Sequence, residues 1–177
     1  MKKIIIFFPG IGYGVNCPLF YYADFIAETK GYERFSVDYG NLLSDQSKPL
    51  EHRLDELRNY ELKQLREIPF NEYEKIIFLS KSIGTVEAGW ISNRLNLPVT
   101  QVFLTPIKET LPYCTSDCKI VIGTKDKCYP MYKEHSEYNN VNILCVNGAN
   151  HLLEIEKEPY KSMNIVKQVM EFIMKNV

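Results

Sequence analysis

Six short segments of the chain are apolar almost without interruption, and most of their residues are β-branched or aromatic. Strands with one solvated face alternate polar and apolar residues, whereas strands covered on both faces are apolar throughout. The pattern therefore predicts six buried strands. They are Lys3–Phe8, Arg34–Asp38, Lys75–Leu79, Val99–Leu104, Lys119–Ile122 and Asn142–Val146.

Segments with helical periodicity lie between these strands. Pro18–Thr29 begins with proline, which favours the first helical position, and precedes Gly31, which favours the position after a helix end. The other predicted helices are Leu50–Leu65, Thr85–Leu97, Pro130–Tyr138 and Pro159–Met174. Strands that alternate with helices form βαβ units. We therefore expect an α/β fold, a three-layer, doubly wound and mainly parallel six-stranded sheet, with residues 1–177 as a single domain.

The composition excludes several classes of protein. Hydrophobic residues make up 45% of the chain and the formal net charge is -1, so nothing recruits nucleic acid or an anionic membrane. The longest apolar run, Ile4–Phe8, is too short to cross a bilayer, and no signal peptide is recognised. The 5 cysteines, an odd number at scattered spacing, indicate reduced thiols in a cytoplasmic protein. Cys114 and Cys118 lack the further ligands of a metal site, so no metal is expected.

Three side chains with complementary chemistry follow three different strands. Ser82 comes after the third strand, Asp126 after the fifth and His151 after the sixth. In parallel sheets, functional groups gather at the carboxyl ends of the strands. A serine hydroxyl needs a base to become a nucleophile; His151 could take its proton, and Asp126 could orient the imidazole. The chain order Ser, Asp, His is the one expected of a serine hydrolase built on a parallel sheet.

Each of these residues also has a simpler interpretation. Serine is a favoured helix N-cap, so Ser82 could serve only to begin the next helix. His151 could be a surface-loop histidine, and Asp126 could belong to a solvated turn. Ser80 is the weaker nucleophile candidate, because only Ser82 has a glycine two residues later. Asp117 is the rival acid, but it precedes its strand and is expected at the opposite edge of the sheet.

The order and spacing of these motifs resemble the α/β-hydrolase superfamily, especially its small, lidless, dienelactone-hydrolase-like members, over nearly the whole chain. Ser80-Lys81-Ser82-Ile83-Gly84 resembles the nucleophile elbow, Gly123-x-x-Asp126-x-x-Tyr129-Pro130 the acid loop, Gly148-x-x-His151 the histidine loop, and Pro9-Gly10-Ile11-Gly12 the oxyanion loop. The resemblance implies a strand order of 2-1-3-4-5-6 and no cap domain. It also implies chemistry that needs no cofactor or metal.

Two positions depart from the family pattern. Ser80 stands where the elbow usually has glycine, and Pro9 stands where the oxyanion loop often has histidine. The second change leaves the expected donors intact, because they are backbone amides, here those of Ile11 and Ile83. Lys81 suggests a Ser-Lys pair, but adjacent residues on such a turn point apart, which would keep the amine out of reach of the hydroxyl.

The sequence therefore predicts a serine hydrolase that cleaves a small-molecule ester or thioester through an acyl-enzyme on Ser82. The acyl group, the leaving group and the oligomeric state are left open. Four residues near strand ends are candidates for lining the mouth of the site: Tyr13, Asn16, Tyr39 and Tyr129.

Two other classes of protein remain as alternatives. The turn that holds Gly10, Gly12 and Gly14, together with Asp38 at the end of the second strand, suggests a Rossmann-like dinucleotide site. Against it, the third glycine has the wrong spacing, and Pro18 places the helix start several residues too late to face a pyrophosphate. The other class is a non-catalytic, hydrolase-like binding protein, although all three triad residue types are present.

Overall fold

The computed structural model describes residues 2–42 and 49–176 of the chain. Eleven regular elements alternate along it. The strands are β1 (Lys2–Phe8), β2 (Glu33–Ser36), β3 (Tyr73–Lys81), β4 (Val99–Leu104), β5 (Lys119–Gly123) and β6 (Asn142–Val146). The helices are α1 (Pro18–Thr29), α2 (Leu50–Leu65), α3 (Ile83–Leu95), α4 (Tyr129–Asn139) and α5 (Pro159–Asn176). Short 3₁₀ turns at Phe70–Glu72 and Lys108–Tyr113 complete the described elements.

The strands form one sheet in the order β2-β1-β3-β4-β5-β6, and every neighbouring pair is parallel. This confirms the predicted α/β fold class and the six-stranded sheet. The segment between β4 and β5 holds only the short turn Lys108–Tyr113, so this part of the described chain inserts no cap over the sheet edge.

Side chains of each strand point alternately to two helical layers, which explains why the strands are apolar throughout. Ile4, Ile6 and Phe8 of β1 belong to the cluster that α2, α3 and α4 cover. Ile5 and Phe7 belong to the opposite cluster, beneath α1 and α5. Because both faces are covered, all five side chains are almost fully buried.

Strand β3 differs from the prediction at its end. It continues through Ser80 and Lys81, which pair with Phe103 and Leu104 of β4, whereas the predicted strand ended at Leu79. Two polar residues at the end of an apolar run are typical of a loop, yet the side chains of Ser80 and Lys81 are buried here. The Ser80 hydroxyl donates a 3.3 Å hydrogen bond to the carbonyl of Val102, which satisfies it within the sheet.

Among the described residues, no helix has both the length and the apolar composition that crossing a membrane requires.

Candidate active site

The turn between β3 and α3 holds Ser82 in an unusual backbone conformation. Its φ is 53° and its ψ is -121°, a region that residues other than glycine rarely adopt and that costs on the order of 1–3 kcal/mol. Gly84 makes the turn possible, because a Cβ there would overlap the carbonyl oxygens of Phe8 and Pro9 at the end of β1. The result is a sharp strand-to-helix turn with a serine at its tip.

Ser82 occupies the N-cap position of α3, but its side chain makes no capping hydrogen bond. Its Oγ lies 3.0 Å from Nε2 of His151 instead. The capping alternative raised by the sequence therefore does not describe this side chain, although the residue does begin the helix.

Asp126 lies on the other side of the same imidazole. Its Oδ2 is 2.6 Å from Nδ1 of His151, and its Oδ1 accepts the backbone N–H of Cys128 at 2.9 Å. The structure thus brings together Ser82, His151 and Asp126, which are separated by up to 69 positions in the sequence. Asp117, the rival acid, is exposed in the turn before β5.

The electrostatic environment keeps the Asp126 carboxyl ionised. Burial by itself raises its pKa, but the hydrogen bonds from His151 and the Cys128 N–H and the nearby charge of Lys81 outweigh burial, so the pKa lies below its usual value. An ionised carboxylate accepts the Nδ1 proton of His151, which leaves Nε2 free to accept a proton from Ser82.

The loops that carry Asp126 and His151 are fastened to each other. Thr124 N–H donates to the carbonyl of Val146, and Lys125 N–H donates to that of Ala149. The Thr124 hydroxyl accepts the N–H of Gly148 at 2.8 Å. These bonds cross between the ends of β5 and β6 and keep the carboxylate and the imidazole in register.

Ile83 and Ile11, whose amides the sequence suggested as oxyanion donors, both lie next to residues of the turn in the chain or in space. Ile83 is the first residue of α3, so its N–H has no acceptor within the helix. Gly10 lies against the turn, since a Cβ on it would stand 3.2 Å from Cβ of Ser82. The next residue, Ile11, therefore follows a backbone segment that passes directly beside the serine.

Lys81 is a residue that the sequence reasoning set aside and that the structure places inside the site. Its side chain is buried, with Nζ donating to the Thr105 hydroxyl at 2.6 Å and to the backbone carbonyl of His151 at 2.7 Å. The same ammonium lies 4.7 Å from the ring centroid of Tyr13. The available signal was a lysine at the end of an otherwise apolar strand.

The four residues predicted to line the mouth have different positions. Tyr13 is mostly buried and lines an apolar groove, and its hydroxyl accepts the N–H of Leu19 at 3.2 Å. Asn16 is exposed beside a separate, smaller recess. Tyr129 is half-buried at the start of α4 and interacts with the thiol of Cys145.

Tyr39 corrects the expectation for its position. It is buried in the cluster beneath α2 and α3, where its hydroxyl faces Glu61 and Glu87. The side chain is only 7% exposed, so it lies in the core rather than at the mouth.

An apolar groove of about 880 Å³ runs between α1 and the segment that leads from the His151 loop into α5. Asn150 and Leu152, the two neighbours of His151, both line it. Its wall includes Tyr22 and Phe25 of α1, whose side chains are largely exposed. Ser82 and His151 do not line this groove; it begins beside the loop that carries the imidazole.

The glycine turn after β1 differs from a dinucleotide site in its surroundings. Helix α1 begins only at Pro18, after the turn has ended. Asp38 is engaged locally, with its Oδ1 accepting the N–H of Gly40 and its backbone bound at both N–H and carbonyl by Gln64. Its position favours a structural role over binding of a ribose.

Among the described residues, no three histidine, cysteine or acidic side chains form a group that could hold a metal ion. The cysteine pair noted in the sequence is engaged with backbone: Cys114 Sγ donates to Thr110 O and Cys118 Sγ to Tyr113 O. Burial raises the pKa of the Cys114 thiol to about 12, so it stays protonated.

The fold resembles several solved structures at low sequence identity. A protein from Xanthomonas campestris pv. campestris, assigned as a hydrolase of the alpha/beta superfamily, matches with a TM-score of 0.73 and 15% identity over 98% of this chain and 99% of that one. Est1E from Butyrivibrio proteoclasticus matches with a TM-score of 0.68 and 10% identity, over 99% and 88% of the two chains.

Alpha/beta hydrolase domain-containing protein 10 from mouse matches with a TM-score of 0.63 and 13% identity, over 100% of this chain and 92% of that one. No protein-family model matches the sequence, and no curated protein matches it. The structural matches show that the chain has the α/β-hydrolase fold, which confirms the resemblance as far as the fold is concerned.

Proposed function

We propose that this protein is a serine hydrolase that cleaves a small ester or thioester through an acyl-enzyme on Ser82. One observation carries the proposal: a single imidazole, that of His151, lies 3.0 Å from the Ser82 hydroxyl and 2.6 Å from the Asp126 carboxylate. A nucleophile, a base and a group that orients the base, each within hydrogen-bond distance, are what acyl transfer requires. The fold shared with proteins described as alpha/beta hydrolases supports the same class of reaction.

In the first half of the proposed reaction, Oγ of Ser82 adds to the carbonyl carbon of the substrate while Nε2 of His151 takes the hydroxyl proton. The carbonyl oxygen becomes an oxyanion, which the amides of Ile83 and Ile11 stabilise by hydrogen bonds. The tetrahedral intermediate then collapses. The bond to the leaving group breaks, and the departing alkoxide or thiolate takes the proton from His151.

In the second half, a water molecule adds to the acyl carbon while His151 again takes a proton. Collapse of this intermediate breaks the bond to Ser82, and the serine oxygen recovers its proton from the imidazolium. Asp126 keeps Nδ1 protonated and stabilises the imidazolium in both halves. The free acid leaves and the resting site is restored.

The groove between α1 and α5 is the proposed location of an apolar acyl group. It starts beside Asn150 and Leu152, the residues on either side of His151, and Tyr13 lines its inner wall. Apolar surface removed from water there would contribute about 25 cal/mol for each Å². In this proposal Tyr13 keeps the substrate-lining role that the sequence suggested, and the other residues of the groove share it.

A fluorophosphonate probe tests the proposal, because it phosphonylates an activated serine, the same atom that the substrate would acylate. We expect the native protein to be labelled and Ser82→Ala to be inert. Ser80→Ala is the matched control: it removes the neighbouring buried hydroxyl, which donates to Val102 O, and labelling is expected to persist. Mass spectrometry of the labelled peptide identifies the modified residue.

Labelling that survives in Ser82→Ala, or a native protein that the probe does not label, would overturn the proposal. A dinucleotide-binding protein would ignore the probe and gain thermal stability from NAD. Once labelling is established, p-nitrophenyl esters of increasing acyl length and acyl-CoA thioesters will define the acyl and leaving groups.

A further inference from the structure

The ammonium group of Lys81 is buried at the end of β3, where an unpaired charge would be strongly destabilising. Three neighbours compensate it. Two are hydrogen-bond acceptors, the Thr105 hydroxyl at 2.6 Å and the His151 carbonyl at 2.7 Å. The third is the face of the Tyr13 ring, whose centroid is 4.7 Å away and attracts a cation. The group is therefore fully engaged.

Each of these neighbours belongs to a different loop at the carboxyl edge of the sheet. Tyr13 follows β1, Thr105 follows β4 and His151 follows β6. Thr105 has a φ of 44°, which is unfavourable for a β-branched residue, and its N–H donates to Val121 O at 2.7 Å. A strained residue persists only where its surroundings hold it, so Thr105 is part of a constrained arrangement.

We propose that Lys81 is a positioning residue that holds the His151 loop, so that the imidazole stays between Ser82 and Asp126. The bond from Nζ goes to the backbone carbonyl of His151, the residue that carries the imidazole. Lys81 also directly precedes Ser82, so the same residue connects the nucleophile turn to the base. This inference rests on the proposed function of the triad.

The charge of Lys81 titrates in an accessible pH range. Burial lowers its pKa to about 8, and the negative charges of Asp126 and Glu154 only partly oppose that effect. The thiol of Cys17, in the loop before α1, is the third group whose charge would oppose the effect of burial. Burial raises the pKa of Tyr13 to about 12, so this ring stays neutral while Lys81 titrates.

Loss of the proton from Lys81 weakens the arrangement. The ammonium has three N–H donors for Thr105, His151 and the Tyr13 ring, whereas the neutral amine has two donors and no attraction to the ring. We therefore expect the reaction of Ser82 with a fluorophosphonate to slow as the pH rises through about 8.

Lys81→Met tests the role, because methionine has a similar shape without the N–H groups. We expect the rate of fluorophosphonate labelling to fall about 100-fold, the cost of misplacing a catalytic group by about 1 Å. With p-nitrophenyl acetate, kcat should fall while KM changes little, since Lys81 does not contact the substrate. The alkaline decline in labelling should also disappear. Lys127→Met, an exposed lysine beside Asp126, is the matched control and should keep the native rate and pH profile.

A second pair of variants keeps the test decisive if Lys81→Met does not fold, as judged by circular dichroism. Thr105→Val removes the hydroxyl that anchors Lys81 but keeps the side-chain shape, and it should slow labelling in the same direction. Thr105→Ser keeps the hydroxyl and should restore the rate. Labelling of Thr105→Val should be slow whether or not the overall stability of the variant changes. A purely structural role of Lys81 does not predict this result.

The inference is overturned if folded Lys81→Met labels at the native rate with the native pH profile, or, where that variant does not fold, if Thr105→Val and Thr105→Ser label equally fast. In that case the proposed hydrolase function still stands, provided that labelling depends on Ser82. A native protein that the probe does not label would instead refute the proposed function, and the role of Lys81 with it.

Discussion

Ser82 combines an unfavourable backbone conformation with a hydroxyl that points at an imidazole rather than at the helix it begins. A serine that only capped α3 would gain its stability from a bond to a helix amide and would have no reason to keep a φ of 53°. Strain of this kind persists where the surrounding structure imposes it, here through the close contact of Gly84 with β1. The strain and the contact with the imidazole both support the proposed role of Ser82 as the nucleophile.

Asp126→Asn should leave the fold intact and remove most of the activity. The amide would present N–H or C=O to Nδ1 without a charge, so the imidazole loses both its preferred tautomer and the stabilisation of its protonated form. By analogy with other serine triads, we expect kcat to fall by about 10⁴. The measurement is steady-state hydrolysis of a p-nitrophenyl ester, with a thermal melt to verify folding.

Asp117→Asn is the control for that variant, since Asp117 is exposed before β5 and lies away from the triad. Comparable losses in both variants would mean that the acid has been assigned wrongly. The sequence could rank these two residues because one follows its strand and the other precedes it. It could not supply the 2.6 Å contact with His151, which depends on how β5 and β6 pair.

Helix α3 packs unusually close to β1, and this contact shapes the turn that holds Ser82. Gly84 lies where any side chain would overlap the carbonyl oxygens of Phe8 and Pro9. The closeness brings the loop after β1, with Gly10 and Ile11, beside Ser82. The elements were predicted almost completely, but α3 was expected to begin at Thr85 and begins at Ile83, directly after the strained serine.

Gly84→Ala should force α3 and β1 apart. Overpacking of this kind typically costs about 1–3 kcal/mol, and we expect the free energy of unfolding to fall by at least that much. Fluorophosphonate labelling should slow as well, because Ser82 and the amide of Ile83 move with the helix. Urea denaturation and labelling kinetics measure the two effects.

Gly14→Ala is the matched control for this variant. A Cβ on Gly14 would meet nothing within 4 Å. Its free energy of unfolding should stay near that of the native protein. Equal stability of Gly84→Ala and Gly14→Ala would show that the contact between α3 and β1 is not as tight as the structure indicates.

Two carboxyls, those of Glu61 and Glu87, are buried where α2 packs on α3. Burial, followed by repulsion from Glu87, raises the pKa of Glu61 to about 10, and the pKa of Glu87 is raised as well. Arg58 offsets part of this effect, with Nε 3.4 Å from Glu87 Oε2 and its guanidinium over the ring of Trp90. Glu61 therefore carries a proton in the folded protein at neutral pH.

This protonation links the stability of the whole molecule to pH. The pKa of Glu61 rises from 4.5 to about 10 on folding, so the folded state binds the proton more tightly than the unfolded state. The stabilisation is fully present below pH 4.5 and is lost as the pH rises towards 10. Glu61→Gln keeps the shape of a protonated glutamate and removes this dependence.

Relative to the native protein, Glu61→Gln should gain stability as the pH rises from 5 to 8, by up to about 1.4 kcal/mol for each pH unit. Urea unfolding at three pH values measures it. Glu67→Gln, on the exposed segment after α2, is the control and should follow the native curve. Parallel curves for Glu61→Gln and the native protein would contradict the assignment of the proton to Glu61.

The local pattern of apolar and polar residues was sufficient to predict most of the fold. Apolar runs without polar alternation predicted six strands, because a strand covered on both faces needs no polar side. Their alternation with helices predicted a parallel sheet, and the carboxyl edge of such a sheet is where Ser82, Asp126 and His151 follow their strands. The fold class and this common location depend only on residue type and chain order.

Contacts between distant segments required the folded chain. A lysine at the end of an apolar strand does not reveal its partners, because Thr105 and His151 are 24 and 70 positions away. Tyr39 was misplaced for the same reason: a tyrosine after a strand suits a mouth or a core equally well, and only the packing of α2 and α3 places it in the core. Chain order brings residues to one edge of a sheet, but distances, burial and charge there depend on tertiary packing.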